Sequence, residues 1–127
     1  MTKSRDPVIR ISARPSDLNM NGNIFGGWIL SQMDIAGGIT AARCAKGPVA
    51  TVAIEGMKFH RPISVGDLVS CYCDIEKIGH TSITIKVEVT TSHVSEKNAG
   101  RVEETKVTEG TFIFVALDAN GRPRPVK

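Results

Sequence analysis

Aromatic residues are scarce in this chain, and its positive charge is not concentrated. The 127 residues include four phenylalanines, one tryptophan and one tyrosine, and the net charge is +3. A nucleic-acid-binding surface combines clustered lysine and arginine with aromatic side chains that stack on bases. The six aromatic residues do not interleave with a long basic run. The composition therefore permits an anionic ligand but predicts no nucleic-acid partner.

Cysteine is scarce as well. The sequence contains three cysteines, and an odd, low number is typical of a reducing compartment. The first seven residues lack the apolar core of a secretory signal peptide, so we expect a cytoplasmic protein. Cys71 and Cys73 point to one face of a strand, but apart from Cys44 no further ligand is evident. The sequence predicts no metal site and no cofactor.

Internal repeats and low-complexity segments are lacking, and the composition is that of an ordinary globular protein. Hydrophobic residues make up 41% of the chain and charged residues 23%, which excludes the disordered and fibrous classes. A chain of this length can bury a substantial core. We expect a single domain over residues 1–127, in which residues 118–127 form an extended tail.

An apolar stretch in the first half of the chain predicts the central element. Residues from Gly26 to about Ala45 predict a helix of about five turns, which the following Gly47-Pro48 ends. A helix without a wide polar face lies inside a protein or a membrane. Asp34 near its centre would cost about 2.5–3.5 kcal/mol in a bilayer, so we predict no membrane span and a helix buried on all sides of one domain.

The other segments predict β-strands. Residues 82–90 alternate apolar and polar side chains without a fault, as a half-buried antiparallel strand does. Further strands are expected at residues 8–12, 49–61 with a bulge at Gly56, 68–77, and 101–117, where Gly110 can break the strand. The sequence thus predicts an α+β fold, in which about five antiparallel strands, the last four in a meander, curve around one helix. Its edge strands should pair with a partner.

Three motifs carry a family resemblance. They are Asn19-x-x-Gly22-x-x-x-Gly26-Gly27-Trp28 followed by Asp34, Phe59-x-x-Pro62-x-x-x-Gly66-Asp67, and Gly79-His80-Thr81-Ser82. From Val8 to about Pro125, the chain resembles the hotdog-fold acyl-CoA thioesterases of the YciA type. The resemblance implies hydrolysis of the acyl-coenzyme A thioester. It also implies a homodimer or a homohexamer built as a trimer of dimers, with active sites between protomers.

The helix carries the candidate catalytic groups. Gly26 and Gly27 place backbone N–H groups at a helix N-terminus, where a developing oxyanion is stabilised. Asp34 is the nearby ionisable group, as a general base or as a nucleophile. Seven residues of helix separate Gly27 from Asp34 by roughly 10 Å, so donors and carboxylate from two chains related by a two-fold axis suit one carbonyl better than one helix does. By resemblance, Asn19 orients the carbonyl or the water.

The candidate substrate-binding residues precede the helix in the sequence, lie in its first turn or follow it. Coenzyme A carries phosphates, so lysine or arginine should border the site, and Arg61 is the preferred residue. Thr81 and Ser82 could donate hydrogen bonds to the pantetheine-phosphate arm. The complete set is Asn23, Phe25, Trp28, Lys58, Phe59, Arg61, Thr81 and Ser82.

Structural roles remain open for several of these residues. Asp34 could bond an inner-strand N–H group or a partner arginine, Asn23 could be a helix cap, and Phe25 and Trp28 could belong to the core. Two other functions also remain open. The chain could be a module that binds acyl-CoA without hydrolysing it, or a hotdog dehydratase, although no histidine lies at the head of the helix.

Overall fold

One helix and a five-stranded antiparallel sheet make up the described part of the chain. The computed structural model describes residues 6–15, 18, 20, 22, 24, 26–93 and 103–127. Their elements are β1 (Ile9–Ser12), α1 (Gly26–Ala45), β2 (Val49–Phe59), β3 (Leu68–Ile78), β4 (Ser82–His93) and β5 (Glu103–Ala116). The helix has the predicted bounds. The predicted bulge at Gly56 is confirmed by a register shift between Glu55 and Lys58 and by a φ of 61° at Gly56.

The strand order is β1-β3-β4-β5-β2, with every neighbouring pair antiparallel. The predicted four-strand meander is wrong, because only β3, β4 and β5 follow one another. Strand β2 pairs with β5 at one edge, and β1 pairs with β3 at the other. The break considered at Gly110 is also wrong, since β5 stays in register with Val87 there.

The sheet covers one face of the helix. The residues buried in α1 recur at helical spacing, and they are Ile29, Met33, Ala36, Gly37, Ala41 and Ala45. On the other side of the helix, Ile35 is 49% exposed. The prediction of a helix buried on all sides is therefore wrong for the single chain. One layer of strands can cover only the stripe that faces it.

The helix packs closely on the sheet because each of them contributes a glycine to the contact. In the helix, Gly37 faces the Phe114 ring of the sheet, and a Cβ atom at Gly37 would lie 2.9 Å from Cζ of Phe114. In the sheet, Gly110 leaves room for the side chain of Met57 from the neighbouring strand β2 and for the tip of Met33 from the helix. This close approach compensates for the cost of glycine within a helix.

The C-terminal segment closes the far end of the helix. Residues 118–127, expected to form an extended tail, turn at Asp118 so that Pro123 bridges back to Leu117. Arg124 then donates to the carbonyl oxygen of Ala45, with 2.6 Å between Nη2 and O. A cation at this position satisfies a helix carbonyl and complements the negative end of the dipole.

Within the described ranges, no helix combines the length and the hydropathy that a membrane span requires.

The glycine at position 37 should be far less replaceable than its neighbour. Gly37→Ala drives a methyl group into the buried Phe114 ring, whereas the nearest ring atom to a Cβ at Gly38 lies 3.7 Å away. Both changes gain helix propensity, but overpacking costs roughly 1–3 kcal/mol. We therefore expect the free energy of unfolding of Gly37→Ala to be lower than that of Gly38→Ala by about this amount. Urea titrations of the two variants at equal protein concentration measure the difference. Equal stability of the two variants would contradict the close packing.

Candidate active site

The N-terminus of α1 is open to solvent. Gly26 and Gly27 are both exposed, and a Cβ atom built at Gly27 meets no atom within 4 Å. The first N–H groups of a helix have no intrahelical partner, and the helix dipole adds positive character there. This end can therefore receive a developing negative charge.

The end of β2 borders that helix terminus. The Phe59 ring, 55% exposed, lies 3.8 Å from the position of a Cβ at Gly26. The following segment is fixed by Arg61 N–H, which donates to the carbonyl of Val107, and by Ile24 N–H, which donates to that of Ile63 at 2.9 Å. The structure thus brings Phe59 and the exposed Arg61 to the same end of the sheet as Gly26.

Lys58 lies on the other side of the sheet from Phe59, because successive strand residues alternate between faces. It lines a shallow surface pocket of about 230 Å³ together with Lys86, Glu109 and other residues. Three side-chain nitrogen atoms surround the Glu109 carboxylate: His60 Nε2 lies 2.8 Å away, Lys106 Nζ 3.1 Å and Lys86 Nζ 3.7 Å. Hydrogen bonds from His60 and Lys106 lower the pKa of Glu109 to about 2. His60 is thereby directed to this face and away from the helix terminus.

Asp34 is held by Thr51, a residue that no sequence motif singles out. The carboxylate is half-buried, and the Thr51 hydroxyl donates to its Oδ1 at 2.5 Å. Threonine is an ordinary strand residue, and only the packing of β2 along the helix brings Thr51 to Asp34. The arrangement leaves the carboxylate fixed at the boundary of the core, at the side of the helix next to β2.

The two halves of the expected site do not meet within one chain. Eight residues of helix separate Gly26 from Asp34, which corresponds to roughly 12 Å along the axis. Thr81 and Ser82 lie towards the other end of the sheet, since Ser82 is in register with Val115 and Val115 with Ala50. The donors and the carboxylate therefore cannot act on one carbonyl of a substrate bound to a single chain.

The remaining predicted residues fall into two groups. Trp28 is half-buried and packs against the hydrophobic core, as its structural alternative requires. Asn19, Asn23 and Phe25 lie outside the described residues.

Metal binding and thiol chemistry depend on the side chains that could act as ligands and on the buried thiol of Cys71. No group of three His, Cys, Asp or Glu side chains among those residues could hold a metal ion. Burial and the neighbouring Cys73 raise the pKa of the Cys71 thiol to about 12, so it stays protonated and is a poor nucleophile.

A curved antiparallel sheet with one long helix against it defines the hotdog class of folds, and comparisons with known proteins agree. Residues 21–96 match the model of the thioesterase superfamily. An acyl-CoA thioester hydrolase YciA from Salmonella typhimurium is 49% identical over 125 residues, which cover 98% of this chain and 92% of that protein.

Solved structures extend the likeness to the whole chain. A hexameric thioesterase from Yersinia pestis has a TM-score of 0.87 and 45% identity, covering 98% of both chains. A hexameric hotdog-fold thioesterase of Campylobacter jejuni has a TM-score of 0.90 and 38% identity, covering 97% of this chain and 91% of its own.

The chain belongs to the thioesterase superfamily and, within it, to the acyl-CoA thioester hydrolases of the YciA type. The predicted fold class and enzyme class are confirmed.

Proposed function

We propose that this acyl-CoA thioesterase hydrolyses its substrate with the Asp34 carboxylate of one chain and the Gly26-Gly27 helix terminus of another. The observation that carries the proposal is the hydrogen bond between Thr51 and Asp34. It fixes a half-buried carboxylate beside the open sheet edge instead of inside the core. A carboxylate so placed is available to an active site formed at that edge.

Strand β2 supports an interface at this edge. It is the last strand of the sheet, so one side of its backbone has no neighbour within the sheet. Unpaired edges are templates for further strand pairing. Large exposed apolar side chains accompany this edge and the outer face of the helix, and they are Ile35, Val52, Ile54 and Phe59. Contact with a second copy would cover both the edge and these side chains.

Antiparallel pairing of two β2 strands would bring the two halves of the site together. Thr51 and Phe59 lie equally far from Glu55 along the strand. A two-fold axis near Glu55 therefore sets Phe59 of one chain opposite Thr51 of the partner subunit. Since Phe59 borders Gly26 and Thr51 holds Asp34, each helix terminus then faces the carboxylate of the other chain.

The chemistry follows from this pairing. Asp34 accepts a proton from a water molecule as the water oxygen attacks the thioester carbon, and the Gly26 and Gly27 N–H groups donate to the oxyanion. Collapse of the tetrahedral intermediate breaks the C–S bond, and the proton passes to the departing thiolate. Asp34 as the attacking nucleophile is the alternative, in which a mixed anhydride is hydrolysed in a second step.

The substrate is held by residues from both ends of the sheet. In this proposal Arg61 pairs with a phosphate of coenzyme A, while Thr81 and Ser82 of the partner subunit donate to the pantetheine-phosphate arm. Asn19 orients the carbonyl or the water. Further contacts are assigned to Asn23, Phe25, Trp28 and Phe59. Lys58, which lies on the opposite face of the sheet, is withdrawn from the predicted set.

We assign a homohexamer built as a trimer of dimers to the assembled enzyme. The hexameric relatives from Yersinia pestis and Campylobacter jejuni support this assembly. A cytoplasmic location is supported by Cys44, Cys71 and Cys73, which form no disulfide bond among the described residues.

Replacing the carboxylate by its neutral isostere should abolish most of the turnover. Asp34→Asn keeps the shape of the side chain but removes the base, and loss of general base catalysis typically costs 10²–10⁴-fold. The measurement is release of free thiol from a panel of acyl-CoAs, with coenzyme A binding followed in parallel. Normal hydrolysis by Asp34→Asn would overturn the assignment. Binding without turnover by the wild type would favour a sensing module.

Thr51 should contribute to turnover only through the hydrogen bond that its hydroxyl donates to Asp34. A hydrogen bond to a charged group is worth about 1.5–3 kcal/mol, so Thr51→Val should lower kcat by about tenfold to a hundredfold. Thr51→Ser retains the donor and serves as the matched control, with kcat close to wild type. Equal losses in both variants would show that packing at Thr51, rather than the hydrogen bond, matters.

A mixed dimer tests the shared site directly. Consider Asp34→Asn on one chain and Gly27→Leu on the other; a side chain at Gly27 has space in the fold but would obstruct the donors. One site of such a dimer collects both changes and the other collects neither. Random pairing makes half of the dimers mixed, so activity should recover to about a quarter of wild type after co-refolding. No recovery, with mixed dimers demonstrated, would place both groups in one chain.

A further inference from the structure

A hollow made by a glycine lies in the sheet beneath the catalytic segment of the helix. Gly110 is buried in β5, and a Cβ atom there would lie 2.3 Å from Sδ of Met57 and 3.7 Å from Cε of Met33. The Met57 side chain therefore occupies the space that a side chain at position 110 would fill, and the Met33 side chain borders it. Methionine is flexible and adapts to irregular gaps.

This cluster of Met33, Met57 and Gly110 lies beside the proposed reaction centre. Met33 directly precedes Asp34 in the helix and is completely buried. Met57 lies on β2 between Thr51, which holds Asp34, and Phe59, which borders Gly26. Unlike Met33, Met57 is only half-buried, so its side chain connects the hollow with the open edge of the sheet.

Gly37 of the helix and Gly110 of β5 both lie in the contact between the helix and the sheet, which we call the seam, but they face different side chains. A Cβ at Gly37 would meet a buried aromatic ring, Phe114, which cannot move without disturbing the core. At Gly110 the opposing atoms belong to the flexible ends of methionines. The space over Gly110 can therefore change its occupant at low cost, whereas the space beside Gly37 cannot.

The geometry points to Met57 and Gly110 as the residues that limit acyl-chain length: a longer acyl chain occupies the space over Gly110 when the Met57 side chain turns out of it. The inference rests on the proposed function, because it assigns this space to the acyl group of the substrate of that site. An apolar chain replacing an apolar side chain leaves no polar group unpaired.

Two substitutions should move the chain-length preference in opposite directions. The measured quantity is the ratio of kcat/KM for octanoyl-CoA to that for acetyl-CoA. Gly110→Ala fills the hollow and should lower this ratio about tenfold, since one methylene in an apolar pocket is worth 10-fold or more. Met57→Ala empties the hollow and should raise the ratio. Met57→Leu, which keeps the core filled but reaches less far, should raise it by a smaller factor.

Gly37→Ala is the matched control, because it crowds the same seam away from the hollow. It should leave the ratio unchanged whatever it does to stability. Ratios within twofold of wild type for Gly110→Ala and for both Met57 variants would overturn the inference, as would an equal shift in Gly37→Ala. If the wild type hydrolyses acyl-CoAs but the ratios do not move, only this inference fails. If it releases no coenzyme A from any substrate, the proposed function fails first.

Discussion

The close contact between Gly37 and the Phe114 ring is the constraint on which the rest of the structure depends. It brings the helix as near to the sheet as a backbone without side chains allows, and it fixes the rotation of the helix about its axis. That rotation directs Met33, Ala36 and Ala41 into the core. Asp34 is consequently turned to the side of the helix, within reach of Thr51 on the edge strand. The carboxylate in an apolar helix is tolerated because the packing keeps it at the border of the core, where it keeps access to water and to a hydrogen-bond donor.

The same packing leaves the chain incomplete. One sheet covers one face of the helix, so apolar side chains such as Ile35 and Val52 remain exposed beside the edge strand β2. The helix terminus and the carboxylate are also too far apart to act together. In the proposed dimer a second copy covers the apolar edge and completes the site through the same contact. Assembly and catalysis are thus expected to depend on each other in this enzyme.

The sequence allowed the helix, the strands and the fold class to be predicted, but not how the strands are arranged. The catalytic roles assigned to the helix stay predictions. The bounds of α1 follow from Gly26 and from Gly47-Pro48, and the alternation in β4 is visible in its residues. Strand order is different, since an alternating strand buries the same face beside any neighbour. The meander was predicted wrongly and Thr51 was not predicted at all for the same reason. Both depend on β2 lying at the edge of the sheet next to β5. Arg124 illustrates the same limit: its partner, the carbonyl of Ala45, is 79 residues away in the chain.

The contact between the helix and the sheet is rigid near Gly37 and adaptable near Gly110, because the two glycines face different side chains. Near Gly37 the partner is an aromatic ring stacked on Phe112, and the seam there is fixed. Near Gly110 the partners are two methionine side chains, and the seam there can be remodelled without moving the backbone. Under the proposed mechanism the carboxylate is held still while the acyl chain is admitted, and both properties are then needed within a few residues. The fold supplies them by placing the rigid contact after Asp34 along the helix and the flexible one immediately before it.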